Sequence, residues 1–595
     1  MSNQHLAEMF FQSARIHSGE TAVRIQIDGK WRTHTYQEMS NSIRQIGRAL
    51  LALGVQPGDR VGIFSQNRPE WTMVDLAILS LRAISVPIYA TNTKHQAAYI
   101  IDETQMGIIF TGDQENFDKI HAIQNDSPSL KQIIAFDEKV TLQGEIAQHF
   151  SQFLASGADK TLDGAIDARL AQAESDELAT IIYTSGTTGE PKGVMLSHDN
   201  IFHQFKAMQG QFHVGPGDRS LCFLPLSHVY ERSWSFYVFQ CGAENNYLAN
   251  PKEVIEAMSV VKPTVMVSVP RLYEKIYATA LHGLEQGPAL RKRLFNWAID
   301  VGLRYQYQLK DIGSAGVLLT LQHKLANKLV LSKVRDVVGG PKNFFSAGGA
   351  PLSKDIEEFF FAVGLLVCEG YGLTETSPMV TFNTPKAFKF GTVGKPIIDC
   401  QVKIGEDGEI LVKSPSVTQG YYNKPQATAD AFCDGWFHTG DVGQFDEEGF
   451  LVITDRLKDL IITSGGKNIA PQKIETVYAK DHFIEQFIVI GDRFKFISAL
   501  LVPNFAVLEA YAREQGIPFR SYEELVAKDE IYAFYKERLA SRSEELANYE
   551  QVKVFTLLPK PFTQETGEIT PSQKMKRRVI MKNYAEQIAA MYAED

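Results

Sequence analysis

The sequence predicts an α/β protein with a large N-terminal domain of mixed sheets flanked by helices, a β-rich subdomain and a small α+β C-terminal domain. Three observations predict this fold. Short apolar runs alternate with helical patterns through most of the first 450 residues, short strands with frequent turns follow from about residue 391, and a final α/β unit ends in a basic segment. The 595 residues also exceed a single core, since one domain holds about 100–200 residues.

The alternating region begins with a predicted strand at residues 60–64 and a predicted helix over about residues 71–81. Three further apolar runs, at 107–110, 180–183 and 265–269, each stop at small, polar or proline residues, as buried strands do. Strands separated by helical stretches favour sheets with helices packed on their faces.

The β-rich subdomain is predicted at about residues 391–455. Glycine-containing turns at 406–408 and 446–449 lie between apolar alternations and predict β-hairpins. The pattern changes again at the end of this subdomain, which places a boundary and a hinge near Lys458, and a charged helix is predicted over about 523–547. The predicted domains are therefore residues 1–457 and 458–595.

Charge and cysteine usage exclude several classes of protein. The 60 basic and 70 acidic residues give a net charge of −10, which argues against a nucleic-acid partner. The five cysteines are scattered without a CxxC pair, so neither a zinc site nor a disulfide framework is indicated. The longest apolar run near the middle, at 359–368, has about half of the ~20 residues that span a bilayer, and the N-terminus does not resemble a signal peptide. We therefore expect a cytoplasmic protein.

Residues 288–335 resemble an insertion, because they carry nine Lys or Arg against Asp300 and Asp311. Apolar residues at helical spacing in its first half are Leu290, Leu294, Trp297, Val301 and Tyr305. A basic amphipathic helix of this kind can lie on an anionic membrane surface. The alternative, which the general behaviour of surface helices favours, is a helix packed on the main domain with its charges in water.

The most informative segment runs from Tyr183 to Gly193 and reads YTSGTTGEPKG. Hydroxyls, glycines and one lysine after a strand can surround a polyphosphate, because amides and hydroxyls donate to its oxygens and the lysine adds positive charge. It is not a Walker loop, since the spacing differs and Gly193 stands where Ser or Thr is needed. By itself the segment could also be a polar turn, which is the less favoured interpretation.

The segment resembles the phosphate loop of the adenylate-forming superfamily, which includes acyl-CoA synthetases, peptide-synthetase adenylation domains and luciferases. Five more segments resemble this family's motifs in the same order. They are SAGGA at 346–350 with YGLTET at 371–376, GEI at 408–410 with GY at 420–421, WFHTGD at 436–441, DRLK at 455–458 with GGKNI at 465–469, and PSQKMKR at 571–577.

The resemblance implies sites for ATP and Mg²⁺. The residues it assigns to the β- and γ-phosphates are Thr184, Ser185, Gly186, Thr187, Thr188 and Lys192. Thr374 would contact the α-phosphate and Glu375 would bind Mg²⁺, since one carboxylate plus phosphate oxygens suits this ion. Tyr371, followed by Gly372, would pack on adenine with Gly348 and Gly349 opposite. Asp441 and Arg456 would bind the ribose hydroxyls.

The family's C-terminal domain turns after adenylation, and the resemblance places the pivot at Lys458. Lys574 would bridge the attacking carboxylate and the phosphate, although Gln573 replaces the family's usual glycine and Lys576 and Lys582 are nearby alternatives. In the second step, the glycines at 465 and 466 (Gly465 and Gly466) would approach the pantetheine arm of CoA.

The segment from Phe223 to Arg232 lies where the family lines its acyl site, and Ser227 and His228 stand where amino-acid-activating members usually have an aspartate. His228 could flank the carboxylate or the thiol, or be an ordinary core histidine. Nearby aromatic residues could form an alkyl channel or ordinary core; they are Phe202, Phe205, Trp234, Phe236, Tyr237 and Phe239.

The segments at 456–471 and 568–577 resemble long-chain fatty acyl-CoA synthetases most. The predicted function is therefore AMP-forming ligation of a long-chain fatty acid to CoA, with ATP, Mg²⁺ and CoA as cofactor and co-substrates. Transfer to acyl carrier protein, an acyl-AMP ligase and a non-enzymatic sensor are the alternatives. Peripheral membrane contact through 288–335 completes the prediction.

Overall fold

A computed structural model describes residues 5–27, 29–184, 191–285, 288–457, 461–464, 468–543, 546–570 and 575–593. The strands, in chain order, are β1 Thr21–Ile27, β2 Lys30–Thr35, β3 Arg60–Phe64, β4 Ile84–Ile88, β5 Ile108–Thr111, β6 Gln132–Ala135, β7 Ala147–His149, β8 Leu178–Thr184, β9 Lys192–Ser197, β10 Arg219–Cys222, β11 Glu244–Tyr247, β12 Val265–Ser268, β13 Phe344–Gly348, β14 Val367–Gly372, β15 Met379–Phe382, β16 Lys395–Pro396, β17 Gln401–Ile404, β18 Glu409–Lys413, β19 Phe432–Cys433, β20 Trp436–Phe445, β21 Leu451–Arg456, β22 Ile461–Ile462, β23 Asn468–Ile469, β24 Ile484–Ile490, β25 Ser498–Pro503 and β26 Val554–Leu557.

The α-helices are α1 Leu6–Ile16, α2 Tyr36–Ala52, α3 Pro69–Ser80, α4 Lys94–Thr104, α5 Gln114–His121, α6 Phe150–Ser156, α7 Asp163–Ala171, α8 His198–Met208, α9 Val229–Gln240, α10 Val254–Val261, α11 Pro270–Glu285, α12 Ala289–Ile312, α13 Val317–Ala326, α14 Ser332–Val337, α15 Lys354–Ala362, α16 Pro425–Ala431, α17 Pro471–Ala479, α18 Phe505–Glu514, α19 Tyr522–Val526, α20 Asp529–Arg542, α21 Arg577–Asn583 and α22 Ala585–Met591. A 3-10 turn covers Thr374–Thr376, and a π turn at Asn327–Leu331 joins α13 to α14.

Two large sheets form the N-terminal part of the molecule. The first has the strand order β16-β15-β14-β13-β12-β10-β11-β1-β2, and the second has the order β7-β6-β5-β3-β4-β8-β9. Their central strands are parallel and buried, for example β3 against β4 and β5. Parallel strands buried on both faces need helices around them, which confirms the predicted α/β class.

The β-rich subdomain is a smaller antiparallel sheet in which β20 pairs with β18, β19 and β21. The chain beyond it forms a three-stranded sheet, β24-β25-β26, with helices packed around its own apolar clusters. The predicted long helix over 523–547 is wrong. Two helices, α19 and α20, replace it, because Lys528 adopts an extended backbone with ψ 133° between them.

The insertion at 288–335 forms α12, α13 and α14. Helix α12 packs on α15 so closely that a Cβ at Gly302 would lie 2.2 Å from the Ala362 carbonyl oxygen. Phe295 and Val301 are buried, whereas Leu290 and Leu294 of the predicted apolar face are 77% and 37% exposed, so the packed alternative describes this helix except for its first turns. Among the described residues, no helix is both long and apolar enough to cross a membrane.

Candidate active site

The three sheets of the N-terminal part meet at a cavity of 760 Å³. The ends of β13 and β14 supply Gly348, Gly349 and Gly372, and the end of β8 supplies Thr184. The carboxyl ends of parallel strands are a common place for ligands in α/β proteins. The other predicted residues that line the cavity are His228, Tyr371, Thr374, Glu375, Asp441 and Arg456.

One corner of the cavity is a hydrogen-bonded group of three side chains. The Tyr371 hydroxyl donates to Oδ2 of Asp441 over 2.7 Å, and Nε of Arg456 lies 3.1 Å from Oδ1 of the same carboxylate. Asp441 and Arg456 are directly paired across β20 and β21, so the sheet register brings them together. Burial, and then the charge of Asp441, raise the pKa of Tyr371. The phenol therefore stays a donor, and the group offers both acceptors and donors to a diol.

The glycines opposite Tyr371 keep the cavity open. A Cβ at Gly348 would lie 3.3 Å from the ring of Tyr230, and Gly349 has φ +87°, which favours glycine. Glycine is required at position 372 for a different reason, because a Cβ there would lie 1.9 Å from the carbonyl oxygen of Pro378. The first two positions fit the predicted nucleotide contact, whereas the third is explained by packing alone.

A second corner contains Glu375. The Tyr421 hydroxyl donates to its Oε1 over 2.9 Å, and Nζ of Lys192 lies 4.8 Å from the centroid of the Tyr421 ring. Burial raises the pKa of Glu375. A divalent cation at this carboxylate would offset that burial, so the residue fits the predicted Mg²⁺ ligand. In the described part of the chain no group of three or more His, Cys, Asp or Glu could hold a metal ion, so Glu375 would need phosphate oxygens as further ligands.

The segment predicted to bind phosphates connects β8 and β9, an antiparallel pair in which Thr184 lies opposite Lys192. Lys192 stands beside the cavity rather than in its lining. A Cβ at Gly193 would lie 2.7 Å from Ile181, which explains why glycine stands where a Walker loop has a hydroxyl. The predicted residues Ser185, Gly186, Thr187 and Thr188 lie outside the described residues.

The C-terminal part of the chain forms the opposite wall. Thr570, Met575, Lys576, Arg578 and Lys582 line the cavity. Lys574 lies outside the described residues, as do Lys458, Gly465 and Gly466, and their roles stay predictions.

Arg577 has a structural place. It also lines the cavity, and its guanidinium lies 2.6 Å from Glu475 and donates to the carbonyl oxygen of Val489, so its charge is held by its own domain.

Two ion pairs join this wall to the N-terminal part. Nη2 of Arg271 on α11 lies 2.8 Å from Oε1 of Glu485 on β24, and Nζ of Lys480 lies 2.9 Å from Oδ2 of Asp355 on α15. Arg271, Glu485 and Asp355 are about half exposed. Exposed pairs of this kind contribute about 0.2–1 kcal/mol each.

The far end of the cavity is apolar. Of the six predicted aromatic residues only Trp234 lines it; Phe205, Phe236, Tyr237 and Phe239 belong to the main core and Phe202 packs against that core. The sequence did not predict five further apolar residues that line the cavity, Met208, Phe212, Phe344, Met379 and Phe382. These come from elements far apart in the chain, so no periodicity marks them.

His228 stands between the polar and apolar ends as the N-cap of α9. Its Nδ1 accepts from the Tyr230 backbone N–H over 3.1 Å, and its side chain lines the cavity. The loop before it is held by Asn67, whose side-chain amide donates to Leu224 and accepts from Leu226, and by Glu231, which accepts from Leu224. Burial raises the pKa of Glu231 to about 8. Neither Asn67 nor Glu231 was predicted, since each acts through the loop and not on a ligand.

Comparisons with known proteins show the family of the chain. The model of the AMP-binding enzyme family matches residues 10–422, and the model of the AMP-binding enzyme C-terminal domain matches residues 458–595. The long-chain-fatty-acid–CoA ligase FadD15 of Mycobacterium bovis is 36% identical over 100% of this chain and 98% of its own length. The peroxisomal long chain acyl-CoA synthetase 6 of Arabidopsis thaliana is 31% identical over 96% of this chain and 83% of its own length.

Solved structures share the fold. The anthranilate CoA ligase AuaEII in complex with anthranoyl-AMP superposes with a TM-score of 0.74 at 19% identity, over 99% of each chain. The o-succinylbenzoate CoA synthetase of Bacillus subtilis in complex with ATP and magnesium gives 0.66 at 22% identity, over 96% of this chain and 98% of that one. With a family model across most of its length and full-length relatives above 30% identity, the chain belongs to the AMP-binding enzyme family.

Proposed function

We propose that this protein is an AMP-forming long-chain fatty acid–CoA ligase. One observation carries the proposal: a single cavity joins a polar end, suited to a nucleotide, to an apolar end lined by Trp234, Phe344 and Phe382. Each buried CH₂ of an alkyl chain contributes ~0.8 kcal/mol, so an apolar end of this kind favours a long chain. Relatives named for the same activity over their full length support the assignment.

The first step forms an acyl adenylate. A fatty acid carboxylate oxygen attacks the α-phosphorus of ATP, and the bond to the β-phosphate bridging oxygen breaks to release pyrophosphate. Asp441 and Arg456 hold the ribose, Tyr371 orients the base, and Thr374 donates to the α-phosphate. Lys574 reduces the repulsion between the two anions that must meet. A Mg²⁺ ion bound at Glu375 would neutralise phosphate charge.

The second step transfers the acyl group to CoA. The thiol sulfur attacks the acyl carbon, its proton passes to a base or to water, and the bond to the AMP oxygen breaks. His228 stands between the two ends of the cavity and is the residue of this chain best placed to orient the carbonyl or receive that proton. Turning at Lys458 would remove the C-terminal wall and present Gly465 and Gly466 instead.

The experiment measures AMP release with fatty acids from acetate to oleate, with and without CoA. We expect CoA-dependent turnover that peaks at long chains, and loss of at least about 100-fold in the matched Glu375→Gln variant, which keeps the side-chain size but not the charge. Adenylate formation without a CoA response would make acyl carrier protein the acceptor. No turnover with any chain length would refute the substrate class.

A further inference from the structure

A row of apolar side chains on α13 faces water. Val317, Leu318, Leu321 and Leu325 are 80%, 72%, 58% and 51% exposed, and we call these four the α13 stripe. Their spacing of one, three and four residues places them on one face of the helix, over a length of ~12 Å. Single exposed leucines are normal on a protein surface, but a continuous row of this kind is not.

Exposed apolar residues concentrate in this part of the molecule. Nine of the seventeen large apolar side chains that are exposed in the described part of the chain lie between residues 290 and 337. Ile312, at the end of α12, is 72% exposed and adjoins the turn that leads into α13.

The other side of α13 is fixed to the protein. His323 stacks on Tyr305 of α12 with ring centroids 3.9 Å apart, and Ala326 is fully buried. Because the helix is anchored through these contacts, the α13 stripe is a preformed surface and needs no folding on contact.

The segment that carries the stripe has charges of one sign, and Asp311 and Asp336 lie immediately outside it. Between Ile312 and Arg335 the sequence contains no Asp or Glu, although the whole chain has a net charge of −10. Lys324, Lys328 and Lys333 are exposed, whereas the guanidinium of Arg335 turns inward to the carbonyl oxygen of Val363. Three lysines are therefore available to a negatively charged partner.

We propose that the α13 stripe and these three lysines dock the protein on a bilayer that contains anionic lipids. An interfacial helix places its apolar face at the boundary between headgroups and acyl chains and its lysines among the headgroup charges. A second copy of this chain fits less well, since a two-fold contact would bring the same lysines of both copies together.

Docking would not block the candidate active site. Phe344 of β13 lines the cavity, whereas the next residue, Phe345, points to the other face of the sheet and packs in the cluster that contains Ala326 and Leu331. The sheet thus separates the cavity from the insertion. Docking would therefore raise the concentration of fatty acid near the enzyme without changing the rates of the chemical steps. This consequence rests on the proposed function.

The test is sedimentation of the full chain with vesicles of phosphatidylcholine containing about 30% phosphatidylglycerol. The variant with Val317, Leu318, Leu321 and Leu325 all changed to Gln should lose at least about tenfold in partition coefficient. The variant with Lys324→Glu, Lys328→Glu and Lys333→Glu should lose about a hundredfold, since each basic residue contributes about fivefold, and wild-type binding should weaken at high salt.

Matched controls change the same residue types elsewhere on the surface. Ile16, Val260 and Ile398 are exposed and are changed together to Gln; Lys139, Lys160 and Lys536 are exposed and are changed together to Glu. Both controls should bind vesicles as the wild type does. With fatty acid in neutral detergent micelles, all variants should have the kcat of the wild type. With fatty acid in anionic vesicles, only the α13 stripe variant and the triple-lysine variant should show a raised apparent KM.

If the α13 stripe variant and the triple-lysine variant bind vesicles as well as the wild type does, the assigned surface is wrong. If the wild type binds purely neutral vesicles as well as anionic ones, the assigned lipid class is wrong. No vesicle binding, with a dimer in light scattering that the Gln variant abolishes, would make a second copy the occupant. If the wild type binds vesicles but activates no fatty acid from micelles, the proposed function fails while the docking surface stands.

Discussion

The two walls of the cavity are built differently. On the N-terminal wall, Tyr371 and Arg456 both contact the buried carboxylate of Asp441, and the register of β20 and β21 pairs Asp441 with Arg456. The C-terminal wall is joined to it by two ion pairs in which three of the four side chains are about half exposed. Buried hydrogen bonds to charged groups are worth about 1.5–3 kcal/mol, several times the value of an exposed ion pair. The first wall is therefore a preorganised site, and the weaker attachment of the second is consistent with the proposed turn at Lys458.

The largest expected effect tests whether the C-terminal wall acts only in adenylate formation. Lys574→Ala should lower adenylate formation by at least about 100-fold, because it removes a charge that offsets repulsion between two anions. Thioester formation from supplied acyl-AMP should stay near wild type. Pyrophosphate exchange and single-turnover thioester formation measure the two steps, with Lys576→Ala as the neighbouring control. Equal losses in both steps would remove the distinction between the walls.

A change on the fixed wall should affect both steps. Asp441→Asn removes the partner of Arg456 and should raise the KM for ATP about 10- to 100-fold, the value of a hydrogen bond to a charged group. It should also weaken AMP binding in the second step. Tyr371→Phe removes only the hydroxyl and should have a smaller effect. Calorimetric titration with AMP measures both variants, and unchanged AMP affinity in Asp441→Asn would contradict the assignment.

The fixed wall also contains a pair of buried carboxyl groups. Glu369 accepts from the Leu352 backbone N–H beside the glycine loop, and Glu357 accepts from the backbone N–H of Gly391. Burial raises the pKa of both, and the charge of Glu369 raises that of Glu357 further, so the folded protein keeps a proton on this pair at neutral pH.

Because the folded state binds more protons than the unfolded state above pH ~4.5, the free energy of unfolding should fall as pH rises toward 8. Glu357→Gln keeps an oxygen acceptor for Gly391 and removes the contribution of Glu357 to this dependence, while the contribution of Glu369 remains. The variant should gain about 1–2 kcal/mol relative to wild type between pH 6 and pH 9. Urea unfolding at both pH values measures it, and parallel curves for the two proteins would exclude a shared proton.

The smallest expected effect concerns the ion pairs between the walls. Changing Arg271 and Lys480 together to Ala should lower pyrophosphate exchange about two- to thirtyfold, because each pair contributes about 0.2–1 kcal/mol to the closed arrangement. The thioester step should be unchanged or slightly faster. High salt should reproduce the effect in the wild type and add little in the variant. A larger effect of salt on the variant than on the wild type would show that these pairs do not hold the walls together.

The sequence predicted the α/β class and the strand at Arg60–Phe64 directly, since a short apolar run bounded by turns has few other solutions. It did not predict Phe212, Phe344 or Phe382 as cavity lining, because these residues meet only after distant elements pack. The burial of Glu357 and Glu369 was not predicted either, because a glutamate in a sequence usually indicates a surface residue.

The insertion shows where periodicity stops being informative. Apolar spacing in the first half drew attention to α12, whose face packs on α15, whereas the exposed stripe lies on α13. Both helices have the same period, and only tertiary packing determines which of the two faces is covered.

Two neighbouring residues of strand β13 face opposite sides of the sheet and have unrelated roles. Phe344 contacts the space where an acyl chain would lie, and Phe345 supports the helices that carry the lysine-rich surface. Mutations on one face can change which acids are accepted without altering where the enzyme resides, and mutations on the other can do the reverse. Substrate range and membrane localisation can thus evolve independently, although the two residues that support them are adjacent in the chain.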